Sequence, residues 1–149
     1  MSKSLWDEVE KKIRSHDYMA GVERTVARIK ATGEIFTPTE LVVEMLKKTP
    51  SSAVKPGKKV IDPACGDGQF LVGVKWLKIL KFGMTERAAL NDIFGVDIMK
   101  DNVEICRRRL NGGSIIHGNI LEPETRLKGQ SEKDYRMMID LFSEQFLLL

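Results

Sequence analysis

The chain has 149 residues, 42% of them hydrophobic, with a formal net charge of +3 and two cysteines. That length bounds a single domain with a modest core, and so small a positive excess argues against a dedicated nucleic-acid face. Two cysteines make no disulfide framework, which points to a reducing cytoplasm, and neither a signal-peptide pattern nor an apolar stretch of membrane-spanning length is present, so no membrane partner is expected.

Leu5, Trp6, Val9 and Ile13 recur at helical spacing and predict a first amphipathic helix. Met19, Val22, Val26 and Ile29 predict a second, ended by Gly33. Thr37-Pro38-Thr39-Glu40 has the form of a capping box with proline at the first helical position. It would start a third helix over Thr39 to Lys48, with Leu41, Val42, Met45 and Leu46 as the apolar face. Thr49 to Lys59, with two prolines and a glycine, reads as a loop.

Val60 to Phe70 reads V-I-D-P-A-C-G-D-G-Q-F. The pattern predicts a buried strand over Lys59 to Asp62, a tight turn and a helix from Asp67 to about Lys81. Phe70, Leu71, Val74 and Leu77 form that helix's buried stripe, with Lys75 and Lys78 directed to solvent. A short helical turn follows from Thr85. Strand two is Ile93 to Asp97, and a helix over Asp101 to Leu110 presents Val103, Cys106 and Leu110 inward. Its Arg107-Arg108-Arg109 run reads as a solvated face. Strand three is Ser114 to His117, after the turn Asn111-Gly112-Gly113. Glu122 to Ser131 is polar, and from Glu132 to the terminus one helix carries Tyr135, Met138, Ile139, Phe142 and Phe146 at helical spacing, with Ser131 and Asp134 as its capping box.

The chemistry concentrates in the turn. Gly66 and Gly68 allow close approach of backbone to a ligand, and Asp62 is placed to accept from a cationic amine. The dinucleotide fingerprint G-x-G-x-x-G is excluded, because position 71 is Leu. An acidic strand end before such a turn suits a nucleotide-like cofactor carrying an amino group better than a pyrophosphate. Asp97, closing the second apolar strand, reads as a ribose ligand or as a cap for the next helix. It lies 31 positions beyond Gly66, against roughly 20 in nicotinamide enzymes, because Met84 to Asn91 is an extra segment. Cys65 reads as a small spacer in the turn, with a reactive thiol as the alternative. Trp6 and Trp76 read as packing residues. His16 and His117 are isolated, so no metal site is expected.

These segments resemble the amino DNA methyltransferases that methylate adenine N6 with S-adenosylmethionine, as in restriction-modification. Those enzymes commonly read D-P-A-C-G-[ST]-G-x-F at the first motif, and this chain departs only at Asp67. Gly33 to Pro38 resembles the G-x-F-[FY]-T-P segment, Phe94 to Ile98 the second strand with its acid, and His117 to Leu121 the end of the third strand. The order of the four matches the subgroup whose cofactor half comes first. The resemblance implies that Phe36, Thr37, Pro38, Asp62, Pro63, Ala64, Gly66, Gly68 and Phe70 surround the cofactor's methionine end and turn. It implies Asp97 at the ribose, and Ile98, Asn119 and Ile120 at the adenine. The implied fold is a truncated Rossmann-like α/β sheet of about three parallel strands: residues 1–58 a helical N-terminal part, 59–121 the Rossmann-like half, and 131–149 a C-terminal helix.

The family's catalytic [NDS]-P-P-[YFW] motif has no counterpart, since none of the five prolines is adjacent to another. No apolar run after Leu121 reads as a fourth strand. The first strand is then an open edge beside the cofactor turn, to be covered by the C-terminal helix, a second copy or another protein supplying strands. The helix docking in cis, together with self-association, is the expected arrangement. Three functions follow: a cofactor-binding relative of adenine methyltransferases that reaches DNA only through a partner subunit, a non-catalytic interaction protein keeping the fold, and a methyltransferase or binder of small molecules.

Overall fold

The computed structural model describes residues 4–15 and 37–142. The predicted second helix, Gly33 to Phe36, His16 and the last seven residues lie outside them. Helices α1 (Leu5–Ser15) and α2 (Thr39–Lys48) precede strand β1 (Val60–Asp62). Then come α3 (Gln69–Phe82), α4 (Glu86–Asn91), β2 (Ile93–Asp97), α5 (Lys100–Leu110), β3 (Ser114–His117) and α6 (Glu132–Phe142). A 3-10 turn over Ser51–Ala53 interrupts the predicted loop.

The three strands are parallel in the order β1-β2-β3, in register Val60 with Ile93, Gly95 with Ile115 and Asp97 with His117. The fold is α/β, a truncated Rossmann-like sheet. Alternation divides the strand residues between two faces. Val60, Ile93 and Ile115 join the larger core, with Val9 and Ile13 of α1, Val42 and Leu46 of α2, Leu71 and Leu77 of α3, and Val103 and Cys106 of α5. Val96 and Ile116 face Met138 of α6 in a smaller cluster. That helix therefore docks in cis, with Ser131 Oγ accepting from the Asp134 amide at 3.0 Å as its cap. It does not reach β1: Ile61 is 44% exposed, and among the described residues β1 pairs with β2 alone.

Several expectations need correction. Leu41 and Met45, expected on the apolar face of α2, are exposed, and Val43 is buried with Val42 and Leu46. Strand β1 is not buried, since Ile61 is exposed. Lys75 and Lys78 are buried on α3, because each long stem carries its ammonium to backbone carbonyls. Lys78 Nζ donates to Val54 O (3.1 Å), Lys55 O (3.2 Å) and Lys58 O (2.9 Å) and pairs with Asp92 (3.0 Å). Lys75 Nζ donates to Leu110 O at 2.8 Å, and burial pushes its pKa down. The arginine run is a solvated face only in part, with Arg107 and Arg108 exposed as expected. Arg109 is buried, and Arg107 donates to Ile115 O at 2.6 Å and pairs with Asp134 at 3.1 Å. Finally, the N-cap of α2 is Pro38 and no side chain caps it, so Thr37 does not form the predicted box. Glu40 instead pairs with Arg14 of α1. Trp6 and Trp76 pack against the core as expected. No helix among the described residues is long and apolar enough to cross a membrane.

Candidate functional site

Parallel strands present their carboxyl ends on one side, and here those ends gather Asp62, Asp97 and His117 with the turn after β1. The turn is anchored to β2 through the Cys65 amide, which donates to Val96 O at 2.9 Å, and is closed by the Gly68 amide donating to Cys65 O at 2.9 Å. Gly66 (φ 54°) and Gly68 (φ 94°) both take the left-handed conformation. Gly68 also answers a packing demand: a Cβ there would stand 2.8 Å from Cys106 Sγ, so it is α5 that makes the closest approach to this glycine. Cys65 is buried, and its hydrogen bond with Cys106, burial and nearby Asp97 and Asp62 hold its thiol well above the usual range. That favours the spacer over the reactive thiol.

Asp97 is almost wholly buried and holds the loops on both sides of it. Its Oδ2 accepts from the Gly66 amide at 2.9 Å, while Oδ1 accepts from the Met99 amide at 2.8 Å and Asn102 Nδ2 at 3.3 Å. A carboxylate offers about four acceptor positions, so the Oδ2 side retains one for a hydroxyl. Asp62 is half-buried and accepts from the Ala64 amide at 3.1 Å. Burial and the negative charge of Asp97 raise its pKa, against the lowering effect of that amide. Two neighbouring carboxylates, one of them raised in pKa by burial and by the charge of the other, make a locus where a cation would be favoured. Pro63 and Ala64 are exposed at the rim, and Phe70 packs half-buried on the core.

Asn119 Oδ1 accepts from the Leu121 amide at 3.0 Å, an Asx turn that leaves its Nδ2 and a second lone pair for a ligand. Ile98 is 52% exposed at the mouth, and Ile120 packs beside Met138. A cavity of about 460 Å³ lined by Ile120 to Thr125 and Phe142 shares only Ile120 with the predicted set. On the other flank, Thr37 O accepts from Gln69 Nε2 at 3.1 Å, so this segment borders the turn. Pro38 is exposed; Phe36 lies outside the described residues.

Three neighbours of the site escape the sequence pattern. Arg109 and Gln69 are buried beside Asp67, the position that departs from the family's Ser or Thr, and a carboxylate in a buried turn is a signal that demands a cation. His117 is buried with Nε2 3.1 Å from Ile98 O. A carbonyl only accepts, so Nε2 carries a proton, and Nδ1 is buried with no hydrogen-bond partner among the described residues. No group of three or more His, Cys, Asp or Glu side chains among the described residues is arranged to hold a metal ion.

A family model described as N-6 DNA Methylase matches residues 19–134, most of the chain. No solved structure matches at a significant level.

Proposed function

The chain belongs to the N-6 DNA methylase family, and from that membership we propose that it binds S-adenosylmethionine and supplies the cofactor-holding part of a DNA adenine-N6 methyltransferase. The carrying observation is the convergence of Asp62, Asp97 and the Gly66–Gly68 turn at the carboxyl ends of adjacent parallel strands. In this reading Asp62 receives the ammonium of the methionine end, beside Thr37, Pro38, Pro63 and Ala64. Asp97 receives a ribose hydroxyl on Oδ2 while its other bonds keep the turn in place. Ile98 and Ile120 flank the adenine, and Asn119 faces its amine. When bound, the cofactor supplies an electrophilic methyl group. The chain's own residues orient it, and direct transfer to an in-line amine requires no protein nucleophile.

The chain does not methylate alone in this reading, since the residues that hold the target base, [NDS]-P-P-[YFW], are lacking in the sequence. We propose that a partner chain supplies them and the contact with DNA, its strand adding at the edge of β1 that no strand among the described residues pairs. A homo-oligomer covering that edge is the other arrangement proposed. A second reading is favoured by the same edge and by the exposure of Ile61: a non-catalytic protein that keeps the fold for contacts with another methyltransferase subunit.

Isothermal titration with S-adenosylmethionine and S-adenosylhomocysteine separates the two. Saturable binding, weakened by Asp62→Asn, supports the first reading. No uptake at millimolar ligand overturns it for this chain and leaves the interaction protein, which mass measurement in solution then tests.

A further inference from the structure

The guanidinium of Arg109 has a side chain 1% exposed, at the end of α5, yet it contacts three other parts of the chain. Nη1 pairs with Asp67 Oδ2 at 3.1 Å and donates to Asp67 O at 3.1 Å. Nη2 donates to Gln69 Oε1 at 2.7 Å and to Ile13 O, near the end of α1, at 3.1 Å. Gln69 passes the connection on, because its Nε2 donates to Thr37 O at 3.1 Å and Thr39 Oγ1 at 3.2 Å. An amide whose oxygen accepts from Arg109 must present its nitrogen to the opposite side, so the guanidinium fixes which way Gln69 points.

We propose that Arg109 and Gln69 are positioning residues that lock the turn after β1 to the Thr37–Thr39 segment, so that both walls of the cofactor's methionine end are set as one unit. This rests on the cofactor reading above. Neither side chain touches the ligand in this arrangement; each acts through the backbone it holds. The bland alternative is that Arg109 only neutralises a buried Asp67. It predicts that nothing beyond stability depends on Gln69.

Two variants separate the ideas. Gln69→Met leaves the Asp67–Arg109 pair and breaks the relay. The double change Asp67→Ser with Arg109→Met removes both charges together, so that neither is left buried alone. Hydrogen exchange of the Leu41 and Val42 amides, both bonded to Pro38 O, reads the far end of the relay. The Gly57 amide, held by Asp92, serves as a control for overall stability. Each variant is expected to speed exchange at Leu41 and Val42 and to weaken S-adenosylhomocysteine binding by about tenfold, a charged hydrogen bond's worth, with Gly57 unchanged. Exchange at Leu41 and Val42 that stays at the wild-type rate, or changes only in step with Gly57, overturns the proposal. If the unmodified protein takes up no ligand, the cofactor reading fails by itself, while the exchange comparison still decides whether the two segments are locked together.

Discussion

The carboxylate of Asp97 accepts the amide hydrogen of Gly66 across 2.9 Å, so the acid that ends β2 holds the turn that follows β1. A second bond, from the Met99 amide at 2.8 Å, makes the same side chain organise the entry to α5. The proposed ribose contact and the observed loop architecture therefore share one residue. Asp97→Ala leaves two backbone amides and the Asn102 side-chain amide without this acceptor, at about 1–3 kcal/mol for each that stays dry. Loss of ligand in that variant cannot by itself identify a ribose contact. The discriminating measurement varies the ligand instead. S-adenosylhomocysteine lacking its ribose hydroxyls is expected to bind the wild type about tenfold more weakly than the parent compound. In Asp97→Asn the two ligands should bind alike by calorimetry; a persisting gap places the hydroxyl contact elsewhere.

Asp62 gives the pH dependence. Its carboxyl is raised above the ordinary value by burial first and by Asp97 next, so the folded chain holds that proton more tightly than the unfolded chain. The resulting stability is complete below the unfolded pKa and is lost as pH rises through the folded one. At neutral pH the ionised side chain is thus a cost in the ligand-free protein, and a cationic ligand offsets it. Asp62→Asn is expected to raise the ligand-free Tm at pH 7 while weakening S-adenosylmethionine by about tenfold. For the wild type, affinity should climb as pH rises through the Asp62 titration. A variant that loses both stability and affinity contradicts this account.

Much of this architecture is legible in local pattern. Ile93 to Asp97 and Ser114 to His117 appear as strands at the predicted bounds, because an apolar run closed by a polar residue needs no distant information. Thr85 likewise caps α4 through the Ala88 amide at 3.2 Å. The misread charges share one cause. Lys75, Lys78 and Arg109 are charged, and periodicity assigns charge to solvent, but their acceptors are carbonyls brought near by the fold. Ile13 O lies 96 residues from the arginine that donates to it. The glycines show the same division. The turn conformation of Gly68 can be anticipated from its neighbours, whereas Cys106 packing against it comes from another helix. Within the candidate site the acids were readable and their supports were not.

Lys78 supplies a stability test remote from the cofactor turn. Its ammonium is fully buried against three carbonyls and Asp92, and the Asp92 carboxylate also accepts from the Gly57 amide at 3.0 Å. Lys78→Met fits the space of the stem and strands the carboxylate. Removing one member of a buried pair costs about 3–5 kcal/mol. Chemical denaturation should show that loss, and adding Asp92→Asn should recover part of it. A single variant within about 0.5 kcal/mol of wild type, as ordinary surface changes give, would mean that the pair is hydrated in solution.

Gly118 tests how α6 meets the sheet. This glycine follows β3, its amide donates to Asp97 O at 3.0 Å, and a Cβ added to it would stand 2.5 Å from Met138 Sδ and 2.6 Å from Met138 Cγ. The C-terminal helix therefore presses a methionine onto the backbone that leads to Asn119 and Ile120. Gly118→Ala must push Met138 off Val96 and Ile116 or bend the strand end, a form of overpacking that costs about 1–3 kcal/mol. Met138→Ala alone empties the smaller cluster and costs about 2–5 kcal/mol. Because the added methyl enters space that the methionine vacates, the double variant should be more stable than the sum of the two losses implies. Denaturation of the four proteins completes the cycle. Strict additivity would show that α6 does not hold this position in solution, and would remove the cis support from the segment of Asn119 and Ile120.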